Sequence, residues 1–289
     1  MTYSIVARDP ESGQFGIAVQ SHFLAVGAAV PSIKAGVGAV ASQANLRIEY
    51  KDLGLKYLAN GDSAGTALRK CLATDPNPEV RQVAIIDSVG NTAAHTGSAC
   101  WNEASHYSKF GVSAQSNMVS SALIPEAMVN AFEKSTESFP FRLLAALDAA
   151  ESLGGDLRGK QSAAILIAGD QEASEEHPAL DLRVDNDAEP LVSLRKAVRL
   201  ALAFAPMWRV IRGPACRGAA APTNAETEEA IAVLQRAQTE YGVENLEPTF
   251  WLAVAKWRGN SQSEAEQLVS EIAKSNSGWT RLFQDVISR

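Results

Sequence analysis

The sequence contains little cysteine, little basic charge and no long apolar run, and each shortage excludes a class of protein. The three cysteines among 289 residues, Cys71, Cys100 and Cys216, are far apart and form no CxxC pair. Neither a disulfide framework nor a structural zinc site is therefore expected, and reduced thiols are typical of a cytoplasmic protein. The formal net charge of -7 argues against nucleic acid or an anionic membrane surface as a partner.

Membrane spans, export signals and common cofactor motifs are also missing from the sequence. A bilayer-spanning helix needs about 18 or more consecutive apolar residues, and no such run occurs. Arg8, Asp9 and Glu11 interrupt the apolar character that a secretory signal would need. Because GxxxxGK[ST], GxGxxG and HExxH are absent, nucleotide-binding and classical zinc-protease functions have no local support, and no cofactor is required.

Hydrophobic patterning predicts two sheets that are buried on both faces. Residues 2–20 form a hairpin pattern, with the turn residues DPESGQ between two strand-like runs. The runs GAAV, GAVA and SAAILIAG are apolar at every position, which is typical of strands covered on both faces. Because groups of strands alternate with pairs of helices along residues 1–205, we predict an α+β domain. Its two antiparallel sheets pack face to face with helices outside.

A separate helical domain is predicted after this one. Residues 206–222 contain several prolines, glycines and alanines, and we predict a linker there. Residues 223–289 contain amphipathic helices with capping residues at Thr223 and Ser261, which predicts a small all-α domain. The Trp, Phe and Leu stripes of these helices must be covered, and because a second copy of the chain can cover them, a homodimer is expected.

The first strand begins at residue 2, and this position permits a catalytic role for Thr2. Removal of Met1, which is usual before a residue as small as threonine, leaves Thr2 with a free α-amine. An α-amine has a pKa of about 8 and can act as general base for the hydroxyl of the same residue. The simpler interpretation is that Thr2 is a β-branched strand residue with no catalytic role.

Six motifs occur in the order of a known bacterial family. The segments are MTYSIVARDPESGQFGIAVQSHFLAVGAAVP, AGVGAVASQAN, RQVAIIDSVGNTAAHTG, QSNMV, GDLRGKQSAA and DLRVDN. Together they closely resemble domain of unknown function 1028. That family is regarded as similar to the N-terminal-nucleophile (Ntn) hydrolases, which have a four-layer αββα sandwich. The resemblance implies the architecture of an amide-bond hydrolase with Thr2 in the nucleophile's place, and it implies no particular substrate.

The C-terminal segment NLEPTFWLAVAKWRGNSQSEAEQLVSEIAKSNSGW resembles a degenerate tetratricopeptide-like unit. The pattern covers one helical hairpin and a following helix, which is too few repeats for a solenoid. This resemblance implies a docking role for the tail, either on the preceding domain or on a second subunit.

Several polar residues are candidates to surround the terminus. In Ntn hydrolases the end of the second strand, where Ser21 lies, holds a residue, commonly an acid, that orients the terminal amine. Asn117 in QSNMV matches a family asparagine and is a candidate donor to an oxyanion. Gln43 and Asn45 follow a buried strand and either donate to an oxyanion or cap a turn. Lys34 either lowers the pKa of the nucleophile or is an exposed lysine at a strand end.

Further candidates for substrate binding lie in the polar segments. Arg158 can bind a substrate carboxylate through two hydrogen bonds, or it can pair with an acidic neighbour. A lone histidine such as His95 either contacts substrate or is structural. The carboxylates of DLRVDND alternate along one predicted strand, so a divalent metal with Asp185 as a ligand is an open alternative. The predicted substrate-binding residues are Gln43, Asn45, His95, Asp156, Arg158, Gln161, Asp181 and Arg183.

Two functions remain open from the sequence. The first is a cytoplasmic Ntn-type hydrolase of a small amide or peptide-like substrate, with Thr2, Ser21 and Asn117 as catalytic residues. The second is a non-catalytic protein of the same fold that uses the GDLRGKQ and DLRVD segments to bind an anionic ligand or a metal. Removal of Met1 favours the first function, and retention favours the second.

Overall fold

The computed structural model describes residues 2–101, 103–169, 179–217 and 220–288, so Met1 lies outside the described residues. Ten strands occur in this part of the chain. Their bounds are β1 Thr2–Arg8, β2 Phe15–Ser21, β3 Pro31–Lys34, β4 Gly38–Ala44, β5 Arg81–Asp87, β6 Thr92–Thr96, β7 Ser105–Lys109, β8 Val112–Asn117, β9 Ser162–Ala168 and β10 Leu180–Val184.

Eleven α-helices occur in the described residues, one or two at a time between groups of strands and then in succession after β10. Their bounds are α1 Val26–Ala29, α2 Glu49–Ala59, α3 Ala64–Ala73, α4 Ile124–Lys134, α5 Phe139–Ser152, α6 Pro190–Arg212, α7 Pro214–Arg217, α8 Asn224–Tyr241, α9 Glu247–Arg258, α10 Gln262–Ala273 and α11 Gly278–Ile287. Among the described residues, no helix has both the length and the apolar character that a membrane crossing requires.

The strands form two antiparallel sheets, as the sequence predicts. The larger sheet has six strands in the order β10-β9-β2-β1-β8-β7, and the smaller has four in the order β3-β4-β5-β6. The predicted hairpin is β1 and β2, paired from Tyr3 with Gln20 to Arg8 with Phe15. Its turn is held by Asp9, whose carboxylate accepts hydrogen bonds from the backbone N–H and the hydroxyl of Ser12.

The two sheets face each other across an apolar core in which large and small side chains meet. The six-stranded sheet contributes larger residues, and the four-stranded sheet contributes mostly alanines, which allow close approach of the two backbones. The buried residues of this core include Val6, Phe15, Ile17, Val19, Ala39, Ala41, Ala84 and Ile86.

Helices cover the outer face of each sheet. Helices α4 and α5 pack on the six-stranded sheet, and α2 and α3 pack on the four-stranded sheet. A Cβ added at Gly16 of β2 would lie 2.5 Å from Leu143 of α5, so only glycine permits this approach. The central strands β1, β2, β4 and β5 are therefore buried on both faces, which explains why such strands contain apolar residues at successive positions.

The chain divides into two compact units, of which the first ends at Val198 and the second begins at Arg199. The second unit is helical, as the sequence predicts. Its α8 begins with a capping box in which Thr223 and Glu226 exchange hydrogen bonds. Its core consists of apolar side chains from α6 to α11, and the aromatic members include Phe250, Trp251 and Phe283. The aromatic stripes of the tail are thus covered within the unit itself.

The segment expected as a linker, residues 206–222, contains helix. Helix α6 continues through Pro206 to Arg212, and α7 follows at Pro214–Arg217. Met207, Val210 and Ile211 lie at helical spacing and are buried in the core of the second unit. This apolar periodicity outweighs the loss of one backbone hydrogen bond at the proline.

Candidate functional site

Thr2 begins β1, one of the two central strands of the six-stranded sheet, and its side chain faces the other sheet. Ser4 shares this face and donates from its Oγ to Gln43 Oε1 on β4 at 2.7 Å. Thr2 is 8% exposed, and its Oγ1 lies 3.0 Å from Ser21 Oγ. Asn117 is its register partner on β8. The fold therefore brings together the three residues predicted to be catalytic.

Gln82 of β5, which is not among the site residues predicted from the sequence, orients the amide side chains near Thr2. Its Nε2 lies 3.1 Å from the carbonyl oxygen of Ser105 and 2.9 Å from that of Ser116. Because a carbonyl only accepts, these contacts fix which end of the Gln82 amide carries nitrogen. Its Oε1 then accepts from Asn117 Nδ2 at 2.9 Å and from Gln43 Nε2 at 2.8 Å.

Gln43 connects Gln82 to the backbone of Thr2 by hydrogen bonds. Its Nε2 donates to the carbonyl oxygen of Thr2 at 3.1 Å, while its Oε1 accepts from Ser4. Gln115 of β8 donates to the carbonyl oxygen of Ala41 at 3.0 Å. The side chains of Gln43, Gln82 and Gln115 are buried between the sheets. Since an unpaired buried amide is costly, this polar cluster holds the end of β1 in one place.

The sequence contains a signal for these glutamines. In RQVAIID, Gln82 occupies the same strand face as Ala84 and Ile86, which belong to the core between the sheets. In VSAQSN, Gln115 shares a face with Ser113 and Asn117. Polar residues at inward positions of otherwise buried strands indicate a buried hydrogen-bond cluster.

A pocket of about 360 Å³ lies beside Asn117. Its lining includes Asn45, Val80, Cys100, Trp101, Asn117 and Met118. Burial raises the pKa of the Cys100 thiol. Two lining residues have left-handed backbone conformations, with φ of 69° at Ala44 and 53° at Met118. Such conformations cost on the order of 1 kcal/mol each for residues other than glycine, and strain of this kind concentrates at functional sites.

Asp156, Arg158 and Gln161 lie next to Ser21 and hold the loop that follows β2. The Asp156 carboxylate accepts from the backbone N–H of His22 at 3.0 Å and of Arg158 at 2.8 Å. The Arg158 guanidinium lies 3.3 Å from the same carboxylate. Gln161 donates its backbone N–H to the carbonyl oxygen of Ser21 at 3.2 Å. This ion pair is one of the two roles predicted for Arg158, and binding of a substrate carboxylate stays a prediction.

Four other predicted residues lie away from Thr2. Lys34 is exposed and pairs with the first residue of β4, at the opposite end of that strand from Gln43, so it does not adjoin the nucleophile. His95 lies on the outer face of the smaller sheet, where its Nε2 is 3.0 Å from the carbonyl oxygen of Pro78. Asp181 and Arg183 form an exposed ion pair of 3.2 Å on the edge strand β10.

The described residues around Asp185 do not form an assembled metal site. Strand β10 ends at Val184, so the alternation of carboxylates does not continue to Asp185 and Asp187. The Asp187 carboxylate accepts from Ser193 Oγ and from the backbone N–H of Glu189. Within the part of the chain that the structure describes, no group of three or more His, Cys, Asp or Glu side chains is placed to hold a metal ion. Among the described residues, Asp185 is therefore not accompanied by the further oxygen ligands that a divalent ion needs.

Comparison with known proteins gives a family and a fold. The chain matches the family described as a family of unknown function (DUF1028) over residues 2–194. The crystal structure of protein SPO2555 from Silicibacter pomeroyi, assigned to DUF1028, is 32% identical to the chain. The match covers 69% of this chain and 88% of that one, with a TM-score of 0.63.

A second solved structure is only distantly similar. Anbu (ancestral beta-subunit) from Yersinia bercovieri is 12% identical, and the match covers 68% of this chain and 92% of that one. Its TM-score of 0.34 is too low to support an inference. No curated protein matches the chain.

Proposed function

The chain belongs to the family of unknown function DUF1028, and we propose that it is an amidohydrolase of the Ntn class with Thr2 as nucleophile. The observation that carries this proposal is the position of Thr2. A buried threonine hydroxyl lies at the first residue of a central strand, 3.0 Å from Ser21 Oγ and opposite Asn117 in register. A terminal nucleophile needs a fixed position because its amine and its hydroxyl must act on the same substrate carbonyl.

We also propose that the first unit is the four-layer αββα sandwich of the Ntn class. The packing of α4 and α5 on one sheet, and of α2 and α3 on the other, supports this assignment. The apolar core between the sheets and the polar cluster at one end of that core support it as well. In such an arrangement a substrate enters at the end of the sheets where Thr2 lies.

The proposed reaction uses the two functional groups of Thr2 after removal of Met1. Oγ1 attacks the carbonyl carbon of a small amide or peptide-like substrate, and its proton passes to the α-amine. The C–N bond then breaks, the α-amine returns the proton to the departing nitrogen, and the acyl group stays on Oγ1 as an ester. The same amine takes a proton from water, the resulting hydroxide attacks the ester, and the acid leaves while Oγ1 regains a proton.

Asn117 and Ser21 have distinct proposed roles. Asn117 Nδ2 uses one of its two hydrogens on Gln82 Oε1, which leaves the second for the oxyanion that forms during attack. Ser21 Oγ contacts Oγ1 directly and orients the hydroxyl toward the α-amine. Loss of one oxyanion donor typically lowers kcat by about 10²- to 10³-fold, so Asn117 carries more of the proposed catalysis than Ser21.

The test is acylation of the terminal threonine by a β-lactone, an electrophile that the hydroxyl opens. One chain carries an N-terminal extension that a protease removes to leave Thr2 as first residue, and the same chain is also kept uncut. Intact-mass spectrometry should show one adduct on the cut chain and none on the uncut chain. Thr2→Ser should retain the adduct and Thr2→Ala should lose it.

A matched variant separates the site from other threonines. Thr92 lies at the other end of the four-stranded sheet, where its hydroxyl donates to the carbonyl oxygen of Lys109, and Thr92→Ala should still be labelled. Equal labelling of the cut and uncut chains would exclude a terminal nucleophile. In that case, or if the protein from cells retains Met1, a ligand-binding role of the same fold replaces the proposed hydrolase.

The location and assembly of the protein are part of the same proposal. The three cysteines are free thiols, which supports the cytoplasm as the proposed location. The tetratricopeptide-like nature of the second unit and the homodimer also remain proposals. Because the aromatic stripes of the tail are covered within their own unit, a dimer would need another surface, and light scattering of the full chain measures its mass directly.

A further inference from the structure

The pocket beside Asn117 is lined by two residues whose positions in the chain relate it to the proposed nucleophile. Asn117, one of its lining residues, is the register partner of Thr2. Asn45, another lining residue, lies two positions after Gln43, whose Nε2 donates to the carbonyl oxygen of Thr2. A group bound in the pocket would therefore lie next to the bond that Thr2 is proposed to attack.

The chemistry of the lining restricts what the pocket can hold. None of the described residues that line it carries a charge, and its only amide side chains are those of Asn45 and Asn117. The other described residues that line it are Ala44, Val80, Ala99, Cys100, Trp101 and Met118. Moving a charged group into such a pocket would cost free energy because none of its described lining residues offers an opposite charge to replace the lost water. Its volume of about 360 Å³ is at the small end of the range for ligand pockets, about 300 to 1,000 Å³.

Backbone strain gives an independent indication that this region is built for binding. Ala44 and Met118 both follow the last inward-facing residues of their strands, and both have positive φ. Met118 is held in this conformation because its N–H donates to the carbonyl oxygen of Trp101 at 2.9 Å. Trp101 itself is 71% exposed, so an aromatic ring is anchored at the pocket without being part of the core.

We propose that this pocket binds an uncharged, largely apolar side group of the substrate, adjacent to the amide that is cleaved. The inference rests on the proposed hydrolase function and narrows it to a substrate class. Amides that bear an aliphatic or aromatic group of up to about the size of a benzyl group fit the lining, whereas amides that bear an ammonium or a carboxylate at that position do not.

The experiment compares three β-lactones that differ in one substituent, which is methyl, benzyl or aminobutyl. The rate at which each acylates Thr2 is followed by intact mass on the chain with a free terminus. Benzyl should react at least about tenfold faster than aminobutyl, since an apolar pocket discriminates by this order. Asn45→Asp places a carboxylate in the pocket and should lower the benzyl-to-aminobutyl ratio.

Two variants in which leucine replaces an alanine test whether the pocket sets the preference for the benzyl lactone. Ala99 is exposed and lines the pocket, so Ala99→Leu should lower the benzyl-to-methyl ratio about fivefold or more by filling the space. Ala73 is an exposed alanine at the end of α3, and Ala73→Leu should leave that ratio unchanged. Equal rates for benzyl and aminobutyl, or equal ratios in the two variants, would overturn the inference.

A second readout separates failure of the pocket from failure of the nucleophile. In Thr2→Ala, N-acetylphenylalanine amide should slow the alkylation of Cys100 by iodoacetamide at least about twofold at ligand concentrations above its Kd. Cys71 and Cys216 are buried and serve as internal references. Lack of acylation by any lactone together with protection of Cys100 contradicts the hydrolase and leaves a ligand pocket. Acylation of Thr2 with no protection of Cys100 and no preference for the benzyl lactone contradicts the proposed pocket but not the proposed nucleophile.

Discussion

The side-chain amide of Asn117 donates to Gln82 Oε1 at 2.9 Å, from a strand of one sheet to a strand of the other. The same oxygen accepts from Gln43 Nε2, so one glutamine orients both amides that adjoin Thr2. Gln82 is therefore a positioning residue in the proposed site, which acts through Asn117 and Gln43.

Gln82→Leu is expected to lower the free energy of unfolding by about 2 to 4 kcal/mol, because two amide donors lose their shared acceptor inside the protein. Urea unfolding followed by circular dichroism measures the change. Gln161→Leu is the control, since the Gln161 side chain bonds to Asn186 at the surface and should cost less than about 1 kcal/mol. Equal losses would show that the buried amide cluster is not a stabilising unit.

Ser21→Ala is expected to slow β-lactone acylation of Thr2 about tenfold, because the hydroxyl that orients Oγ1 is removed. Second-order rates from intact-mass time courses measure this effect. Ser113→Ala removes another buried serine hydroxyl, which contacts Ser108 in the same sheet, and should leave the rate within about twofold. A Ser21→Ala rate equal to that of Ser113→Ala would remove Ser21 from the proposed site.

Asp75 forms an ion pair with Arg81, the first residue of β5, and Arg81 in turn contacts Asn45 at the pocket. Its carboxylate lies 2.8 Å from Arg81 Nε and 3.2 Å from Arg47 Nη1, and Arg81 Nη1 donates to the carbonyl oxygen of Asn45. Burial by itself would raise the pKa of Asp75, but hydrogen bonds outweigh it and hold that pKa below its usual value. Their donors are Arg81, the backbone of Asn77, Tyr50 and Arg47.

This lowered pKa predicts a pH-dependent effect of Asp75→Asn. A carboxyl whose pKa is lower in the folded state adds stability above its unfolded pKa of about 4, and the contribution is lost as pH falls through the folded value. At pH 7 the free energy of unfolding of the variant should be about 2 kcal/mol lower than that of the unchanged protein. The difference should shrink below about pH 4. Asp52→Asn, an exposed change on α2, should show no such trend, and a difference constant with pH would contradict the assignment.

Tyr3→Phe tests the outer side of β1. The Tyr3 hydroxyl donates to Glu151 of α5, and Gln20 Nε2 donates to the same carboxylate oxygen at 2.7 Å. Burial and then the Glu151 charge raise the pKa of Tyr3, so its hydroxyl stays protonated and remains a donor. Loss of this hydrogen bond should cost about 1 to 2 kcal/mol in urea unfolding. Tyr57→Phe, on the partly exposed side of α2, should cost less than about 0.5 kcal/mol.

The sequence predicted the two sheets and part of the site for reasons that are local. Apolar runs such as SAAILIAG indicate strands that are buried on both faces. A hairpin with a short turn brings Thr2 beside Ser21. Only the family resemblance predicts a role for Asn117, because pairing between β1 and β8 joins residues that are far apart in the chain.

Other features could not be predicted because they depend on contacts between distant segments. The role of Gln82 depends on contacts with residues of several other strands. Whether Lys34 lies near Thr2 depends on which end of β4 is next to the site. The carboxylates of DLRVDND were expected to share a face, but β10 ends before Asp185. In residues 206–222 prolines suggested a linker, whereas buried apolar residues at helical spacing extend α6.

The most direct measurement is the position of the acyl group after reaction of the mature protein with a β-lactone. Tandem mass spectrometry of the N-terminal peptide should show that Met1 is gone and that the added mass lies on Thr2, as an ester that hydroxylamine removes. An adduct on another residue, a hydroxylamine-stable amide on the α-amine, or an unmodified peptide that still begins with Met1 would contradict the account.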